Sequence, residues 1–214
     1  MSTRAWIALA VLLSAIGWWH SPLSPRPAPV PAVVDGSSID CPMPPPVERG
    51  GEPRQTPVPS SLRPFALQAA TLTPLAGFSI DARVLSREDY RTGREAELSP
   101  TDLALAWGRM REDAVLARLD ISQGGRFFSY RWRDQPPLPP AELARSAANM
   151  HLIPATTVVA EALQGIDADD HVRIQGWLVE AHAGDGWRWR SSTTRTDAGA
   201  GACELIYVCA IERL

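Results

Sequence analysis

Thirteen of the chain's twenty prolines fall between Ser21 and Pro64. Runs such as Ser24-Pro-Arg-Pro-Ala-Pro-Val-Pro31 and Cys41-Pro-Met-Pro-Pro-Pro46 lack backbone donors and hold φ near about −65°. They suit neither a helix interior nor the middle of a sheet. Residues 21–64 are therefore expected to form a disordered, polyproline-like tether, which at ~3.1 Å per residue reaches at most roughly 130 Å. A spacer is the simpler reading; a proline-motif ligand is the other. The tether splits the chain into residues 1–20, 21–64 and 65–214.

The first segment carries one charge, Arg4, and then a mostly apolar run from Ala5 to Trp19. That is the plan of an export signal, set apart from fold reasoning. A fifteen-residue helix is about 22 Å long, short of the ~30 Å hydrocarbon core, which favours a cleaved signal. The lack of a clean Ala-x-Ala site and the closing pair Trp18-Trp19, suited to a membrane interface, favour an uncleaved anchor. The anchor is preferred. Residues 5–19 then meet the membrane, and a single-pass topology in a bacterial inner membrane puts the C-terminal domain in the periplasm. No lysine occurs, and every cation is arginine, as in GC-rich bacterial genomes.

Residues 65–214 suffice for one core. They carry 16 Arg against 20 Asp plus Glu, which argues against bulk attraction to nucleic acid. Phe78–Val84 alternates as a half-buried strand. Ser99, Pro100 and Asp102 resemble a helix start, predicting a helix through Leu103, Leu105, Ala106 and Met110. A short helix is expected at 113–118. Strands at 119–123 and 126–132 flank Gly124-Gly125 as a tight hairpin. Helices are predicted over 140–150 and 158–163, the latter stopped by Gly165. A strand follows at 171–180, with Gly176 marking a bulge or bend. Trp187 and Trp189 share one face of the next strand, Arg188 and Arg190 the other. The last strand is 203–211. The expected fold is α+β: a small bent antiparallel sheet or partial barrel of OB-like or SH3-like kind, ending in a three-stranded meander, with two to four short helices.

The candidate functional stretch is Ser191-Ser-Thr-Thr-Arg-Thr-Asp-Ala-Gly-Ala-Gly-Ala-Cys-Glu204. A nucleophile there needs a base in reach. Among His20, His151, His171 and His182, His151 stands out. Asn149, His151 and Cys203 compose a Cys-His-Asn set if folding joins them, and Asp197 is a further candidate. A binding reading uses Arg188, Arg190, Ser191, Ser192, Arg195 and Glu204 around a carboxylate or phosphate. The plain alternative is a long loop, with Asp197 in an Asx turn and Arg195 paired to Asp197 or Glu204. Asp167, Asp169, Asp170 and His171 are read as a solvated turn; no metal and no cofactor is expected.

Cys203 and Cys209 lie ~20 Å apart along one strand, too far to pair. Cys41 reaches Cys203 only if the tether folds back. Buried thiols are the simple expectation for both strand cysteines.

Ser86-Arg-Glu-Asp-Tyr-Arg91, Leu98–Met110, Ser146–Ala155, Gly176-Trp-Leu-Val179 and Ser191–Glu204 together resemble a family of proteobacterial membrane-anchored proteins with no assigned activity. The resemblance implies a recurring loop design and no reaction. Architecture points first to a non-enzymatic envelope protein that binds a protein or cell-wall component. A periplasmic hydrolase using His151 with Cys203 or Ser191 is an alternative. Another is a glycan- or oligonucleotide-binding barrel using Trp177, Trp187 and Trp189.

Overall fold

The computed structural model describes residues 3–19, 21, 30–31, 41–194 and 202–214. Helix α1, Thr3–Trp19, buries none of its side chains. Among the described residues no helix is long and apolar enough to cross a membrane.

The body is α+β, with a strand-rich mixed sheet. Its frame is β3, Thr71–Asp89. Phe78, Ile80, Ala82 and Val84 point inward, all fully buried, as the period of two requires. The first part of β3 pairs with β8, His171–His182, and the last part with β4, Thr101–Ala106. Register shifts at Pro74/Ala76 and Val84/Ser86 bend the strand between these partners. β4 pairs with β7, Ala147–Pro154, and β7 with β10, Glu204–Arg213, in parallel. β10 returns antiparallel to β8. The five strands β3, β4, β7, β10 and β8 thus close a ring around Leu103, Leu105, Met150, Leu152, Ile174 and Ile206. At Gly176 a Cβ would overlap the Tyr207 carbonyl, so only glycine admits β10 this closely.

Helix α4, Thr157–Gln164, covers one side of this core through Val159 and Leu163. Its N-cap is Thr156, whose hydroxyl accepts from Val159 N at 3.2 Å. Between β4 and β7 lie the short helix α2, Asp113–Leu116, a hairpin of β5, Leu119–Gly124, and β6, Phe127–Trp132, and helix α3, Pro140–Arg145. The hairpin is a separate two-stranded sheet. Its inner side rests on Met110, Val115 and Leu143.

Several expectations change. The helix over 99–110 is strand β4 up to Ala106. All six β4 residues are buried between two partner strands, and ladder pairing overrides the capping pattern. The helix over 140–150 stops at Arg145, because Ala147 onward completes the ring as β7. The closing strands are no meander: β10 pairs with β8 and β7, while β9, Arg188–Arg190, pairs with the C-terminal end of β8 at Glu180–His182. The sheet is mixed, because β7 and β10 run in parallel. The 171–180 strand and the 158–163 helix stand, each slightly longer.

Residues from Cys41 onward already pack on the body, well before residue 65. Proline carbonyls still accept hydrogen bonds. Trp177 Nε1 donates to Pro42 O at 2.9 Å, Gln175 Nε2 to Pro44 O at 2.7 Å, and Ser79 Oγ to Pro45 O at 2.9 Å. The strap continues as β1, Arg54–Thr56, paired to β3, then as β2, Phe65–Ala66. Cys41 folds back as required but joins Cys209, with Cα atoms 5.5 Å apart. Cys209 is therefore half of a disulfide and no buried thiol. Cys203 lies outside that bond, and Cys203 and Cys209 do not pair.

Candidate functional site

The outer face of the β4–β7 pair is set by register. Asp102 sits opposite His151 and Ala104 opposite Asn149, while Leu103 and Met150 turn to the core. Asp102, Asn149 and His151 are all buried. The tip of the β5–β6 hairpin covers them.

That tip is Gly125-Arg126, at φ +59° and +72°. Two positive φ values define the primed turn that matches strand twist. Glycine takes this at no steric cost; arginine does not. The expected Gly124-Gly125 turn is thus shifted by one residue, because Gly124 pairs with Phe127 in the ladder. Arg126 accepts the strained position and reaches inward. Its Nη1 bonds Asp102 Oδ1 at 2.7 Å and the Ser99 carbonyl at 2.8 Å. Its guanidinium lies 3.7 Å from the centre of the Tyr90 ring and 5.6 Å from that of Trp189. The Arg126 amide donates to the Tyr90 hydroxyl at 2.9 Å.

The rest of the cluster closes around the same carboxylate. His151 Nδ1 is 2.9 Å from Asp102 Oδ2, and Asn149 Nδ2 donates to that oxygen at 3.2 Å. Asn149 Nδ2 also meets the Arg126 carbonyl at 2.9 Å, and Cys203 Sγ approaches the same carbonyl at 3.9 Å. Gln123 Nε2 donates to Asn149 Oδ1 at 2.8 Å. The His151 ring packs on Trp189, centroids 4.7 Å apart. Burial pushes the Tyr90 hydroxyl pKa up, and the Asp102 charge adds to the rise, against the opposing pull of the Arg126 amide. Asn149 and Cys203 thus both approach the Arg126 carbonyl, and Asn149 and His151 both approach Asp102 Oδ2.

Two loops border this face, one between β3 and β4, the other between β8 and β9. Arg94 of the first forms a forked pair with Asp185 of the second, at 2.6 and 2.8 Å, and stacks over Trp187 at 4.7 Å. The Arg94 guanidinium, followed by the Trp187 amide, holds the Asp185 carboxyl down at about 2.

The other sequence candidates divide. Arg188 and Arg190 clasp Glu180 at 2.6 and 3.2 Å, joined by His182 at 3.3 Å. Arg188 foremost lowers the Glu180 pKa. Ser191 Oγ donates to Ser192 O and accepts from Leu205 N, while Ser192 Oγ donates to Thr194 O. The Ser191 hydroxyl thus ties the end of β9 to the start of β10. Glu204 opens β10, fully buried, beside a cavity of about 20 Å³ lined by Ala147, Ala148 and Thr194. Arg195 and Asp197 lie outside the described residues. Asp169 pairs with Arg83 at 2.7 Å and Asp170 caps the Asp167 amide, so the acidic turn is engaged within the chain. Trp177 is buried under the strap rather than open for stacking.

Sequence reasoning misses Asp102, Arg126, Tyr90 and Gln123. A signal exists for two of them: an aspartate inside an otherwise apolar run, and an arginine directly after Gly-Gly in a hairpin. Comparison of the chain with family models, curated proteins and solved structures found no match.

Proposed function

We propose that this chain is an exported envelope protein, held at the membrane by α1, whose barrel binds a partner protein without catalysing a reaction. The barrel is read as OB-type. Counted along the ring, its strand order is one, two, three, five, four, returning to one, with a helix between the third and fourth. In such barrels the face of strands two and three, with the loops beside it, is the recognition surface. The observation that carries the reading is what this chain puts on that face: Tyr90, Trp189, Asp102, Asn149 and His151, gathered under one hairpin tip. Export is supported by the Cys41–Cys209 disulfide, a bond that persists in oxidising compartments. The exposed apolar helix α1 supports attachment to the inner membrane, with the barrel in the periplasm.

Photocrosslinking in intact cells tests this. A crosslinking residue at exposed Phe127, beside the tip, is expected to give one adduct of fixed mass. The same residue at exposed Val158, on α4, is expected to give none. No adduct from Phe127, or equal adducts from both, counts against the reading.

The approach of Asn149 and Cys203 to one carbonyl, with His151 beside Asp102, motivates a second reading, a thiol hydrolase. Against it, His151 is only 3% exposed and lies between Asp102 and Trp189. Hydrolysis of ester probes that disappears in Cys203→Ala would support the enzyme.

A further inference from the structure

Arg126 occupies its site as a ligand would. A carboxylate as buried as Asp102 requires a cation beside it. The aromatic walls, Tyr90 and Trp189, favour a flat, weakly hydrated cation over their faces. The Ser99 carbonyl adds an acceptor for a second N–H. Carboxylate, carbonyl and two rings together make a receptor for a guanidinium. We infer that this cage is a binding site for an arginine side chain of a partner protein, and that Arg126 fills it in the unbound chain. The inference rests on the partner-binding reading above and names the chemistry of that partner.

Two features make the resident arginine displaceable. The hairpin pairs with no barrel strand, and an isolated two-stranded ribbon is marginal by itself. Leu119 at its base and Tyr130 midway pack on the α2–α3 side, with Phe128 the packed residue nearest the turn, so residues 124–127 can lift while the rest stays packed. An incoming arginine exchanges like for like.

The test uses the full chain in detergent micelles with N-acetyl-arginine amide as probe. Arg126→Gly empties the cage and suits φ +72° better than arginine. Calorimetry is expected to show the probe binding to Arg126→Gly at least about tenfold more tightly than to the unaltered chain, ~1.4 kcal/mol or more. N-acetyl-lysine amide is expected to bind more weakly, and Asp102→Asn in the Arg126→Gly background is expected to abolish the gain. No arginine binding by a folded Arg126→Gly protein, or equal binding of the two probes, overturns the assignment. Hydrogen exchange of the unaltered chain decides independently of any variant. Amides at 124–127 are expected to open faster than those of β4 and β7, and equal protection overturns the displacement. Arginine binding without a cellular crosslink at Phe127 sustains the cage and sinks the envelope-partner reading; the crosslink without arginine binding does the reverse.

Discussion

Two segments lie on the outside of the same barrel, and they are held in opposite ways. The strap from Cys41 to β2 is fastened by a disulfide and packed on an apolar face of Tyr207, Trp177, Val179 and Leu205. The β5–β6 hairpin is held at its tip by one arginine, a few polar contacts and two aromatic rings. Apolar burial with a covalent bond gives a fixed cover. A buried ion pair at the end of a marginal ribbon gives a cover that can be exchanged, because another cation can replace the first. The fixed cover lies over β8 and β10, and the exchangeable one over β4 and β7.

Removing the disulfide challenges this contrast most strongly. Cys41 and Cys209 are 168 residues apart, and freeing so long a loop is expected to cost about 3–5 kcal/mol. Denaturant unfolding of Cys41→Ser/Cys209→Ser measures the loss. Hydrogen exchange on the same variant should show strap amides exposed and hairpin amides unchanged. A strap that stays protected would mean that packing alone fixes it.

Arg126→Ala is the converse cut. Two charge-assisted hydrogen bonds are lost and Asp102 loses its cation, a cost of about 3 kcal/mol. The loss is expected in local opening of 122–128, read by hydrogen exchange, with β1 and the strap unaffected. A global fall in stability of the same size would make the hairpin part of the core.

Trp177→Phe sharpens the strap side. It keeps most of the buried ring but removes the bond to Pro42 O, and ~1 kcal/mol is expected from the unfolding midpoint. No change at the hairpin should accompany it.

The smallest effect concerns the Arg94–Asp185 clasp beside the hairpin. Asp185 is held at about 2 against an ordinary 3.8. A depressed carboxyl contributes fully above its unfolded pKa, so the clasp is complete above about pH 4 and is lost as pH falls towards 2. The indole NMR signal of Trp187, under the Arg94 guanidinium, should shift in that window. A midpoint near 4 would show that the loops are not joined in solution.

Legibility in the sequence followed the range of the forces involved. β8, β10, the hairpin and α4 announce themselves by period or by turn glycines, which are local signals. β4 does not. Its Leu-Ala-Leu-Ala alternation competes with a Ser-Pro-x-Asp helix start, and only the flanking strands β3 and β7 decide the matter. The same holds for the site. His151, Asn149 and Cys203 are chemically conspicuous wherever they fall. Asp102 and Arg126 gain meaning only through the register that sets Asp102 opposite His151 and the turn that aims Arg126 at them.

The sequence by itself determined an apolar first segment, a proline-rich segment after it and a mixed C-terminal body, because composition and short-range periodicity act within a few residues. Tertiary structure alone decided three things: that the second half of the proline segment is a stapled strap, that the strands close a ring through a parallel pair, and that an arginine fills the cage. Each depends on contacts between residues far apart in the chain, and the energy of such contacts exists only once the ring has closed.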